Sequence, residues 1–250
     1  MRLDSEDATV SQVKGLKGIS VPRKPRMYLP DIPAHIVQRG NNREPCFFAE
    51  DDYRFYLDRL GKALKRYKVK LHAYVLMTNH VHLLMTPVDT QGISKVMLLL
   101  GQQYVQYINR TYRRSGTLWE GRHKASIVNI DEYLLCCYRY IELNPVNAGM
   151  VNTPEEYQWS SYRYHAWGDD VPIINEHELY IRLGKNDKER QHAYRELFKY
   201  ELTEHDVHEI RRSLHYNHPL GNERFREKIE EILKRQVGYA KRGRPKLVNI

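Results

Sequence analysis

Cysteine is scarce in this chain: three residues in 250, two of them adjacent at Cys136 and Cys137. That is no disulfide framework, so the small bridged secreted scaffolds are excluded and a reducing cytoplasm is the expected home. Apolar runs of membrane-spanning length are missing too, which argues against a membrane protein. The opening MRLDSEDATVSQVKGLKGIS carries charge early and lacks the apolar stretch of a secretory signal. Acids run short: Lys and Arg number 40 against 31 Asp and Glu, a formal charge of +9, and no acid follows Glu231. An excess of this sign favours a polyanionic partner, nucleic acid before an anionic membrane surface. What is present in quantity is tyrosine, 19 in all, and aromatic faces among cations suit stacking on unpaired bases. With 41% hydrophobic and 28% charged residues the composition is that of a soluble globular protein.

Residues 1–21 read as a flexible leader, and VPRKPRMYLPDIP (Val21–Pro33) as an extended arm that its prolines keep from becoming helix. AHIVQRG (Ala34–Gly40) predicts a first strand, ended by the NNREP loop. From Ala49 to Tyr67 the residues Tyr53, Tyr56, Leu57, Leu60 and Leu64 recur at helical spacing, behind an acidic start at Glu50, Asp51 and Asp52 that suits the helix dipole. KLHAYVLM (Lys70–Met77) and the apolar run after it predict an antiparallel pair, turning tightly at Met77–Asn79 and ending at Pro87. A second long helix is expected over Gln91–Gly116, a strand over Thr117–Ile130, and a third helix over Asp131–Pro145, terminated by its proline. This order argues for an α+β fold: one antiparallel sheet with helices packed on it, a ferredoxin-like or RRM-like sandwich. Residues 169–235 are charged and strand-poor and predict a helical extension, and 236–250 form a basic tail.

TNHVHLL (Thr78–Leu84) places two histidines one residue apart in an apolar run. Burying an imidazole costs free energy unless its nitrogens find partners. The two-residue period of a strand turns His80 and His82 to one face and Val81 and Leu83 to the other. Two imidazoles side by side are two points of a metal site, or else histidines satisfied by nearby backbone or carboxylates. On the third helix Tyr133, Cys137, Tyr140 and Asn144 stand at offsets of four, seven and eleven, one stripe. Structural zinc would want cysteine or more histidine. Two imidazoles with the amide oxygen of Asn144 make a harder site, matched to Mg²⁺ or Mn²⁺ with positions open for phosphate oxygens. Cys137 reads as core.

NHVHLL followed some sixty residues later by RYIELNPVNAG (Arg139–Gly149) resembles the single-tyrosine HUH transposases. More closely it resembles their REP-associated tyrosine transposase branch, with RKPRMYLPDIPAHIVQRGNNREPCFF, LWEGRHKAS and YQWSSYRYH in support; the likeness spans residues 22–168. It implies a catalytic domain there, a divalent cation on His80 and His82 completed by Asn144, and Tyr140 as nucleophile. Relatives often carry glutamine where Asn144 stands. Tyr140 would attack a phosphodiester of single-stranded DNA beside a hairpin, leaving a 5′-phosphotyrosine and a free 3′-hydroxyl. Tyr138, off the Asn144 face, and Tyr133, two turns below, are the competitors. The resemblance further implies a bacterial, nucleoid-associated protein in the cytoplasm, and superfamily members commonly pair as homodimers. A hairpin-binding repressor that has lost cleavage, and a hydrolase using the histidines to activate water, are the alternatives.

For holding DNA the sequence offers Arg23, Lys24 and Arg26 on the arm and Arg39, Asn41, Asn42 and Arg43 after the first strand; each also reads as solvated charge. Arg110, Arg113 and Arg114 are accounted for by the dipole of the second helix. In the tail, Arg242 and Arg244 of KRGRPK resemble the core of an AT-hook, an extended segment that enters an A/T minor groove.

Overall fold

The computed structural model describes residues 26–237. The leader, Arg23, Lys24 and the tail with Arg242 and Arg244 lie outside the described residues. The elements are β1 (Ala34–Arg39), α1 (Glu50–Tyr67), β2 (Val69–Met77), β3 (His80–Pro87), α2 (Gly92–Thr111), β4 (Lys124–Ile127) and α3 (Ile130–Glu142). The strands form one sheet in the order β2-β3-β1-β4, every pair antiparallel. The fold is α+β, as the alternation of elements predicts, and Thr78–Asn79 make the tight turn between β2 and β3.

Alternation along each strand divides the core in two. Ile36, Val81, Leu83, Met85 and Leu76 belong to a buried cluster with Tyr56, Leu60 and Leu64 of α1 and Ile93, Val96, Leu100 and Tyr104 of α2. Val75, Met77, Ala73 and Leu84 belong to a second cluster with Leu134, Cys137, Tyr138 and Ile141 of α3. Helices therefore cover both faces. The acidic start of α1 does more than meet the dipole: Asp52 Oδ2 accepts from the Phe48 and Ala49 amides at 2.7 and 3.0 Å and so caps the helix.

Three boundaries differ from the sequence reading. The strand expected over Thr117–Ile130 shrinks to Lys124–Ile127, because the Thr117 hydroxyl donates to the Trp119 carbonyl at 2.7 Å and folds the chain back, with Trp119 buried in the first cluster. The second helix stops at Thr111 rather than Gly116, and Arg113 takes a left-handed φ of 50° just past its end. The third helix ends at Glu142; Pro145 does not terminate it but stands in the first turn of a separate short helix, α4 (Asn144–Asn147), where a missing N–H costs nothing.

Beyond it come α5 (Tyr162–Trp167), α6 (Glu178–Ile181), α7 (Asp187–Leu197), α8 (Glu204–Tyr216) and α9 (Glu223–Leu233). Asn186, Thr203 and Asn222 cap α7, α8 and α9 with their side chains. These helices are built into the sheet's own cores, since Tyr194 and Leu214 sit in the α3 cluster and Ile229 in the other. Both sheet edges are covered as well. Leu76 donates to Trp159 and Ser161 to Tyr74 along β2, and Leu220 donates to Ile127 along β4. Among the described residues no helix is long and apolar enough to cross a membrane.

Candidate active site

The sheet register assembles the site. His80 lies opposite Arg39, His82 opposite Val37, and Leu84 opposite His35, so the two histidines of β3 share a face with His35 and Arg39 of β1. From above, α3 lays Tyr140 on this face: its ring is 5.8 Å from those of both His35 and His82, edge-on to each. The rings of His80 and His82 are 5.1 Å apart. Tyr138 is fully buried against His165 at 5.1 Å, and Tyr133 faces Asp206 and Glu209 of α8. Of the three tyrosines weighed, Tyr140 is the one beside the histidines.

Local hydrogen bonds set which ring atoms remain available. Asn79 donates through Nδ2 to the Arg43 carbonyl at 2.9 Å, which turns its Oδ1 to His80 Nδ1 at 2.7 Å. An amide oxygen only accepts, so His80 carries its proton on Nδ1, and in the neutral ring Nε2 is a bare acceptor. Asn144 is fixed in a similar way: its Nδ2 donates to the Tyr140 carbonyl at 2.6 Å, serving a helix end that Pro145 cannot, and its Oδ1 is left as the polar atom it offers to the His80 ring. The Asn144 side chain hydrogen-bonds the His80 ring, so both stand together at the site. On the other side His82 Nδ1 meets His35 Nε2 at 2.8 Å, leaving Nε2 of His82 for a ligand.

Electrostatics agree with this donor set. Burial pushes His80 down to about 4, with the Arg39 charge acting the same way. Burial also pushes His35 down to about 3 and His82 well below the usual histidine range, the latter helped by His35, His80 and Arg39. Neutral imidazoles with free lone pairs at neutral pH are what a divalent cation requires. Among the described residues no group of three or more His, Cys, Asp or Glu could hold an ion. The set that fits is two imidazoles and one amide.

The other candidates for holding DNA separate. Arg39 is exposed beside the site, and Asn41, Asn42 and Arg43 form a single 3-10 turn after it, with Asn42 and Arg43 exposed and at left-handed φ of 51° and 62°. Arg26 is otherwise engaged: it bonds the His123 ring at 2.8 Å, His123 receives Tyr28 at 2.6 Å, and burial lowers the Arg26 pKa. That ties the arm to the residue just ahead of β4. His35 went unnoticed in the sequence, since a lone histidine in AHIVQR carries no signal until its strand is paired with β3.

The inner strand β3 thus carries the His-X-His pair, faced by Tyr140 of α3. Residues 29–144 match the family model described as transposase IS200 like. A solved structure of a REP-associated tyrosine transposase bound to a REP hairpin shares the fold, with a TM-score of 0.52 at 15% identity over 63% of this chain and 99% of that one. A candidate transposase from Deinococcus radiodurans R1 is similar at 19% identity, with a TM-score of 0.35 over 48% of this chain and 95% of its own. No curated protein matches.

Proposed function

We propose that the protein is a cation-dependent single-strand DNA endonuclease and strand transferase that acts beside hairpins, in transposition or a domesticated DNA-processing role. The observation that carries this is the Tyr140 ring edge-on to His35 and His82, one turn below the Asn144 amide. The hydroxyl oxygen of Tyr140 attacks the scissile phosphorus; the bond from phosphorus to the 3′ oxygen breaks, and a 5′-phosphotyrosine and a 3′-hydroxyl result. The phenol gives up its proton on attack and the leaving 3′ oxygen gains one. Because the phosphodiester energy is kept in the tyrosyl ester, a second 3′-hydroxyl can reverse the step without ATP.

Mg²⁺ or Mn²⁺ held by His80, His82 and Asn144 would supply Lewis-acid stabilisation of charge on the phosphate oxygens. Asn79 and His35 hold the two imidazoles in place, and Arg39 adds a fixed positive charge at the same end of the sheet. The hairpin bound to the REP-associated neighbour supports the same substrate class for this chain.

Trapping tests it. Incubation with Mn²⁺ and labelled single strands carrying short hairpins should give a covalent band on a denaturing gel, lost with a chelator and lost in Tyr140→Phe. Binding on a native gel with no covalent band would establish a repressor instead. Free cleaved strand surviving in Tyr140→Phe would establish a hydrolase.

A further inference from the structure

The helical extension has a basic face that the site just described does not use. Along α8 the residues His208, Arg211 and His215 recur at three and four residues and are exposed, opposite the buried Ile210, Ser213 and Leu214. With Arg212 and Tyr216 they line an open groove. Arg212 is held by Glu209 at 2.9 Å, but Arg211 has no carboxylate partner among the described residues.

The sheet places this face at the end where Tyr140 acts. Asn217, which caps α8, accepts from the Ala125 amide through Oδ1 at 2.9 Å, and Ser126 donates to the His218 carbonyl at 2.5 Å. The C-terminal end of α8 is thereby fixed to the start of β4. There Lys124 lies opposite Val37, which lies opposite His82. Residues paired across strands share a face, so Lys124 stands on the face of the histidines, about 10 Å from His82 at two strand spacings. Lys124 is exposed and has no carboxylate partner among the described residues. Arg39 lies two residues beyond Val37, at the end of β1 and opposite His80. Arg39 and Lys124 thus stand on the histidine face, and His215 and Arg211 follow on the exposed side of α8, behind the Asn217 contact with β4. Tyr216, 42% exposed, adds a ring beside them.

We infer that this track binds the single-stranded DNA flanking the hairpin, leading it from Tyr140 over β4 and along the outer face of α8. Spaced cations with an exposed aromatic suit an unpaired strand, whose phosphates and bases are both within reach. The inference rests on the DNA-processing reading above and assigns part of that activity to the extension.

Binding is measured with the full chain in a chelator, where cleavage is silent, so loss of the nuclease reading leaves this test intact. The probes are a blunt hairpin and the same hairpin with an oligothymidine flank. Lys124→Ala with Arg211→Ala and His215→Ala should weaken binding to the flanked probe about tenfold and leave the blunt hairpin unchanged. Removal of two full charges should lower the slope of log affinity against log salt by about 1.4. Lys124→Glu alone, on an exposed position, should shift binding the same way. Equal binding of the flanked probe by wild type and both variants would overturn the inference, as would equal losses on the two probes.

Discussion

His82 shows how much a single hydrogen bond decides. To offer Nε2 to a cation it must carry its proton on Nδ1 and donate to His35 Nε2, which puts the His35 proton on Nδ1. That Nδ1 is buried without a hydrogen-bond partner, so the ligand-competent tautomer leaves one unsatisfied group in the core. Such a group costs about 1–3 kcal/mol, which cation binding would offset. His35→Leu should therefore reduce Mn²⁺ affinity about 10–100-fold, the range seen when ligand-orienting partners are removed. Titration of the Mn²⁺ spin signal measures it with no DNA present. Asn79→Leu, which frees the His80 ring, should act in the same direction. Unchanged Mn²⁺ binding in both variants would remove these histidines from the metal site.

At the scale of elements, α3 is held by a buried polar cluster on the side away from the sheet histidines. Residues two apart are about 200° apart around a helix, so Tyr140 and Glu142 face opposite ways. Glu142 is fully buried; its Oε1 accepts from Ser161 at 2.6 Å and bonds His165 Nδ1 at 3.0 Å, while Oε2 accepts from Tyr194 at 2.6 Å. This explains why YIELNP and YQWSSYRYH occur in one chain: the glutamate of the first is satisfied by the serine and histidine of the second. Glu142→Ala leaves the buried His165 Nδ1 and Tyr194 hydroxyl without this partner, while Ser161 keeps its bonds to Tyr74, and should cost about 3–5 kcal/mol of stability. Tyr194→Phe removes one bond and should cost about 1–2 kcal/mol. Urea denaturation midpoints check both, and equal effects of the two variants would contradict the cluster's role.

The whole molecule should be sensitive to acid. Burial lowers His35 and His123 to about 3 and His72 and His80 to about 4, and it holds His82 well below the usual histidine range. A histidine whose folded pKa is depressed adds stability that is fully present above the unfolded value and is lost as pH falls through it. The unfolded chain takes up these protons first, near pH 6.5, so the loss runs from about 6.5 down toward 4. Each such group should cost about 2 kcal/mol by pH 5, and together they approach the 5–15 kcal/mol that typically stabilises a domain. Urea titrations at pH 7.5 and pH 5 should show a large drop in midpoint; equal midpoints would place the histidines in contact with water.

Much of the core is legible in the sequence because strand and helix periods are local properties. Alternation in KLHAYVLM and NHVHLL determines which side chains share a face, and the stripe through Tyr140 and Asn144 follows from helical spacing. The end of the third helix was misplaced because Pro145 serves a helix start as readily as a helix stop. Tertiary structure alone decided the partners. The order β2-β3-β1-β4 brings His35 beside His82, the arm takes Arg26 to His123, and the extension carries α8 to the edge of β4. Such contacts depend on which strands become neighbours, a choice made by burial of whole faces across distant segments rather than by any local pattern.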